Sequence, residues 1–238
     1  MKTVNPTGRA ATKGKGATKP SDSKARILAA ATEQFASRGF EGVVIRDIAK
    51  AADVTLPTIY HFFGDKRKLY EQSCIGIFEK QNALLQQALR SSDHPASRLW
   101  RFTAQLLSGL IEDNAFARLL QRELLEQDHS LIDDSVRQSL QPHFKMLSAA
   151  VMEITRKPDA LDRSIAIYSL AYGLSSLRPV WQVLNGKKPV KLKTPLATTK
   201  LVLSLAIPEI DWDDLKTATP QPAPRRPAKE KAVNLTKK

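Results

Sequence analysis

Ile45-Arg46-Asp47-Ile48-Ala49-Lys50-Ala51-Ala52-Asp53-Val54-Thr55-Leu56-Pro57-Thr58-Ile59-Tyr60-His61-Phe62-Phe63 is the stretch on which the reading of this chain turns. Apolar residues recur three and four apart on either side of a short polar break, the spacing of two helices joined by a tight turn. Ile45, Ile48 and Ala49 form the buried face of the first helix, and Ala49 is small enough to let the second helix cross closely above it. Val54 and Ile59 fill the other side. Thr55 can cap the second helix and Pro57 suits its first turn, so that helix is expected to start sharply and present its N-terminus outward.

Outward from this stretch the signal stays helical, without convincing period-two alternation, and the fold class is all-α. Ser21, Asp22 and Ser23 offer N-caps for a first helix whose Ile27, Leu28, Ala31 and Phe35 share a face, and Gly39 stops it. Asp65 can cap a long helix from about Lys66 to Arg90. Pro95 suits the first turn of the next, which runs to about Asp113, and Asn114 caps another. The segment Ser130 to Thr155 is expected to split at Pro142, and residues 159–184 to kink at Pro179. A loop with four lysines, Gly186 to Thr194, leads into a last helix, Pro195 to Ala206.

Charge divides the chain further. The formal charge is +13, yet residues 1–20 carry five bases and no acid, and residues 216–238 carry seven bases against Glu230. Residues 24–70 have eight bases and five acids, whereas residues 71–215 balance at seventeen each. This fits polyanion binding by a discrete module with a neutral companion. Residues 1–20 lack large apolar groups and 209–238 are rich in proline and lysine, so both ends are expected to be disordered and basic. The expected domains are therefore 21–66, with its motif at about 44–63, and 67–208. Cys74 has no partner within the chain, and no apolar run nears the roughly 20 residues of a membrane helix. A cytoplasmic, nucleoid-associated protein is expected, without membrane contact.

By pattern alone, a helical hairpin in a core is the commoner account of residues 45–63, ahead of DNA binding. A wider resemblance reverses that balance. Ala-Ser-Arg-Gly-Phe at 36–40, Ile-Arg-Asp-Ile-Ala-Lys-Ala-Ala at 45–52 and Thr-Ile-Tyr-His-Phe-Phe at 58–63, followed by Gly64-Asp65-Lys66, resemble the tetracycline-repressor (TetR) family over roughly residues 23–80. The resemblance implies an N-terminal three-helix helix-turn-helix domain, a long connecting helix, a helical ligand-binding and dimerisation bundle, and a homodimer on a palindromic double-stranded DNA operator. It places Thr55, Thr58, Tyr60 and His61 at the DNA surface, gives Lys66 a phosphate contact, and brings Arg46 to the backbone. Three departures stand out. Asp53 replaces the usual turn glycine, Leu56 stands where lysine or another polar residue is common, and Val43 and Val44 replace the Thr or Ser that grips phosphate. The arm Lys13 to Lys19 is expected to compensate by nonspecific or minor-groove contact.

Other chemistry is sparse. His94, His129, His143 and Cys74 have no metal-ligand spacing, and no phosphate loop, nucleophile elbow or paired-carboxylate signature appears, Asp133-Asp134 and Asp213-Asp214 reading as surface charges. Neither a cofactor nor an enzyme is expected. Among the aromatic-bearing helices, Gln105, Phe116, Arg122, His143 and Tyr172 are candidates for an effector pocket holding an unknown small molecule, although core packing explains such residues more often. Helices at about 159–184 and 195–206, with Leu170, Leu174, Leu177, Leu201 and Leu205, are candidates for dimerisation. The function expected is a repressor released by an effector, with coupling through the helix from Lys66. The alternative is a nucleoid or architectural protein that coats DNA through basic tails without sequence choice.

Overall fold

The computed structural model describes residues 20–92, 94–125, 141–186 and 195–213. The expected arm, the tail beyond residue 213, the lysine loop from 187, His129 and Asp133-Asp134 lie outside the described residues. Among the described residues every regular element is a helix, as the apolar spacing requires. The chain divides into two compact units, Met1–Cys74 and Ile75–Lys238.

In the first unit, α1 (Pro20–Arg38) buries Ile27, Ala31 and Phe35, residues four apart on one stripe. The expected caps at 21–23 lie inside its first turn instead, because Pro20 has no N–H to satisfy and its fixed φ starts the helix one residue earlier. Gly39, at φ 76°, ends it by donating its N–H to the Phe35 carbonyl at 2.8 Å. α2 (Ile45–Ala51) and α3 (Leu56–Phe63) follow, and α4 (Lys66–Arg90) runs on past the unit boundary. Asp65 caps α4, its carboxylate accepting from the Lys68 N–H at 2.8 Å. Tyr70 meets Phe35 edge-on at 5.1 Å and Phe40 at 5.4 Å, tying the start of α4 to α1.

In the second unit, α5 (Pro95–Glu112) is the central element: α6 (Asn114–Leu125), α7 (Gln141–Thr155), α8 (Ala160–Ser176) and α10 (Pro195–Ala206) all pack on it. α6 is capped by Asp113, whose carboxylate accepts from the Phe116 N–H at 3.2 Å. Asn114, expected as the cap, is the first helical residue. Pro142 occupies the first turn of α7, where its missing donor costs nothing, and residues 130–140 of the segment expected to split there lie outside the described residues. At Pro179 the structure goes further than a kink: Leu177 separates α8 from a short α9 (Arg178–Leu184), since the proline ring would clash with the carbonyl four residues back. After α10 the chain folds back over the bundle, where buried Trp212 stacks on Trp100 at 6.5 Å and donates its indole N–H to the Ile207 carbonyl at 3.1 Å. Glu209 is held by two nitrogens of Arg163, at 2.8 and 2.9 Å, and by Lys157. No helix among the described residues is long and apolar enough to cross a membrane.

Candidate nucleic-acid interface

The turn between α2 and α3 is built by its backbone. Val54 N–H reaches back to the Ala49 carbonyl at 3.0 Å and Asp53 N–H to Lys50 at 3.3 Å, the paired bonds of a Schellman ending. Such an ending needs one left-handed residue, and Asp53 supplies it at φ 50°. Arg26 of α1 stands between Asp22, at 3.6 Å, and Asp53, at 3.9 Å, while Arg38 pairs with Asp47 of α2 at 2.9 Å. Ile45, Ile48, Ala49, Ile59 and Phe63 are buried and Val54 is half-buried, so the hairpin is fixed from beneath by apolar contact.

With Ile59 and Phe63 inward, the helical period turns Pro57, Thr58 and His61 to the opposite side of α3, with Tyr60 on its flank. Thr55, Tyr60 and His61 are exposed and Thr58 partly so. Thr55 occupies the N-cap position with extended backbone, but its hydroxyl makes no cap bond. It pairs instead with the Thr58 hydroxyl at 2.8 Å, which holds both oxygens at the exposed start of the helix. Arg46 is exposed on α2. The Lys66 Nζ lies 4.6 Å from the Phe40 ring centroid and 3.5 Å from the Glu41 carbonyl.

The two valines differ. Val43 is buried in the core of the unit and has no surface role, whereas Val44 is 59% exposed and is the N-cap residue of α2, with no side-chain cap bond. Pro57 is exposed at the second position of α3, in the first turn where the sequence reading puts it.

The model described as "bacterial regulatory proteins, tetR family" matches residues 27–72. Residues 27–72 form a tetR-family domain. Over 89 residues the chain is 26% identical to the biofilm operon icaADBC HTH-type negative transcriptional regulator IcaR of Staphylococcus aureus, covering 37% of this chain and 48% of that protein. Over 152 residues it is 29% identical to the HTH-type transcriptional regulatory protein RaaS of Mycobacterium tuberculosis, covering 60% and 66%. The chain thus spans about half to two thirds of the length of these curated relatives. The fold beyond the tetR-family domain is shared as well. A TetR-like transcriptional regulator from Rhodococcus sp. RHA1 superposes with a TM-score of 0.61 at 20% identity, covering 77% of this chain and 93% of that one. The transcriptional regulator FadR from Bacillus subtilis, solved in complex with stearoyl-CoA, superposes with a TM-score of 0.61 at 20% identity, covering 79% and 100%.

Beyond the tetR-family domain, the residues singled out for a pocket are distributed as follows. His143 is buried between Phe102 and Tyr168, its ring centroid 6.4 Å from each, and Phe144 lies 5.8 Å from Tyr168. Burial pushes the Tyr168 phenol well above its usual pKa, so the ring stays neutral. Phe116 packs edge-on against Phe78 at 5.9 Å, and the Gln105 carbonyl accepts from the Gln81 amide at 3.3 Å. Arg122 and Tyr172 are half-buried. The structure therefore joins His143 to an aromatic group that includes Phe102 and Tyr168.

Proposed function

We propose that this chain is a sequence-specific DNA-binding transcription regulator, a repressor that leaves a palindromic operator when a small molecule binds its second unit. The observation that carries the proposal is the exposure of Thr55, Tyr60 and His61, with Thr58 partly exposed, at and along α3 on a domain that matches the tetR family. Side chains of these types reach base edges and phosphates when such a helix enters the major groove. Arg46 serves the DNA backbone from α2, and Lys66 does so only after leaving the Phe40 ring.

A dimer places two such helices roughly 34–36 Å apart, one turn of DNA. Leu161 and Ile165 of α8, Val183 and Leu184 of α9, and Leu201 and Leu205 of α10 are exposed apolar side chains that support a second copy as the partner. The effector is placed among Gln105, Phe116, Arg122, His143 and Tyr172, and it acts by preferring the state whose reading helices miss the one-turn spacing. α4, continuous across the unit boundary, is the element proposed to carry that preference.

Selection of bound DNA from a random pool tests the core of the proposal. A recovered palindrome, lost in a Tyr60→Ala, His61→Ala double variant that stays folded, is the expected result. Sequence-independent retention with a steep salt slope would favour the architectural reading instead. Stearoyl-CoA, the ligand of the FadR structure, is the first effector probe for gel-shift titration on the recovered site.

A further inference from the structure

We infer that the effector of the second unit is an uncharged, ring-bearing molecule with a hydrogen-bond acceptor, and that the Tyr168 hydroxyl of α8 is the group that receives that acceptor. This deepens the proposal that the second unit senses a small molecule, and it rests on that reading.

Tyr168 stands in a group of rings brought together by three helices. Phe102 of α5 meets it edge-on at 5.7 Å, and His143 and Phe144, in the first turn of α7, lie 6.4 and 5.8 Å away. The Tyr168 hydroxyl is buried among them and has no hydrogen-bond partner among the described residues. A buried O–H without an acceptor forfeits the bond it had with water, a cost that native folds ordinarily avoid. Desolvation also holds the phenol well above its usual pKa, so the proton stays on the oxygen and calls for an acceptor. A ligand carbonyl meets that need, and the surrounding rings give the rest of the ligand apolar walls.

The same surroundings argue against a charged end. No lysine or arginine is fully buried among the described residues. Arg163, also on α8, is engaged by Asp159 at 3.0 Å and Glu209 at 2.8 Å. Arg122, half-buried, and Glu123, buried, lie on α6, which contributes none of these rings. A carboxylate or an ammonium brought beside Tyr168 would give up its hydration among rings, at a cost far above that of a ketone or ester carbonyl.

Tyr168→Phe removes the hydroxyl and keeps the ring, and it is measured first without ligand. The full-length variant should melt about 2–4 °C above the parent, because an unpaired donor is gone. A variant that melts at or below the parent would show that the hydroxyl is already bonded, to an ordered water, and overturns the inference. Binding to the full chain is then followed by ligand-observed NMR with acetophenone and benzophenone, their carbonyl-free counterparts ethylbenzene and diphenylmethane, and charged benzoate and benzylammonium. Each ketone should bind roughly fivefold tighter than its counterpart, the effect of one hydrogen bond, and lose that advantage in Tyr168→Phe. Benzoate or benzylammonium binding as tightly as acetophenone overturns the uncharged class. A ketone advantage that survives in the variant overturns Tyr168 as the anchor, and ketones that do not bind overturn the inference as a whole. If no ketone binds while another effector releases the operator, sensing stands and this inference falls. A ketone held with the expected preference on a protein whose operator affinity ignores it supports the site and overturns its part in release.

Discussion

Gly109, in the middle of α5, is where a single atom matters most. A Cβ there would meet the Gln81 amide nitrogen at 2.1 Å and its carbonyl oxygen at 2.8 Å. Gln81 is buried and donates to the Gln105 carbonyl, so it would have to leave that bond to make room. Gly109→Ala should therefore lower the stability of the fold by about 1–3 kcal/mol, although alanine is the better helix former by about 1 kcal/mol. A urea titration reads it, and an unchanged midpoint would mean that Gln81 moves freely. No signal in the sequence pairs these residues, since they lie on different helices and a helical glycine looks alike wherever it faces. Asp53 is the contrasting case. Its left-handed backbone fits its standing where the resemblance has glycine, since a short polar residue is one of the few that enters that region at modest cost. Thr55 was half legible. Its place at the N-cap followed from Pro57 behind it, but its hydroxyl had two partners within reach and chose Thr58.

At the scale of elements, helix positions were readable wherever apolar spacing and a stop agreed, as in α4 and α10, whose observed bounds are those the spacing implies. Ends were read less well, because neighbouring capping residues compete: Asp113 outdid Asn114, and Pro20 outdid the three polar residues after it. The fold-back after α10 was not readable at all. Residues 207–213 carry no periodicity, and their order comes from tertiary contact. Trp212 is buried against Trp100, so Trp212→Ala should cost about 3–5 kcal/mol and lower the melting temperature by several degrees. A variant melting like the parent would show that this segment does not support the bundle. Glu209 gives the same segment a pH dependence. Hydrogen bonds from Arg163 and then Lys157 lower its carboxyl from the usual 4.5 to about 2. A carboxyl depressed on folding contributes stability above its unfolded pKa, and that contribution is lost as pH falls through the folded value. The stability difference between the parent and Glu209→Gln should then be constant above pH 5 and shrink between about 4.5 and 2. A difference that does not vary with pH would assign the effect to packing.

For the whole molecule, the charge pattern and the two units bear on one question, which is what share of DNA affinity belongs to the reading helix. Among the described residues of the first unit, several bases are engaged within the protein: Arg38 with Asp47, Arg26 with Asp22, and Lys66 over Phe40. Most of the excess positive charge lies in residues 1–20 and 216–238. Phosphate neutralisation releases counterions, and each contact adds about 0.9 to the slope of log affinity against log salt. If Lys13, Lys15 and Lys19 supply the contacts that Val43 and Val44 cannot, deleting residues 1–20 should reduce that slope by about three and weaken binding most at low salt. The sequence recovered from a random pool should stay the same, because phosphate contacts carry no base identity. Fluorescence anisotropy across a salt series measures both quantities. An unchanged slope would return the backbone contacts to Arg46 and its neighbours on α2. A change in the recovered sequence would mean that the arm enters a groove and reads bases, as minor-groove arms do.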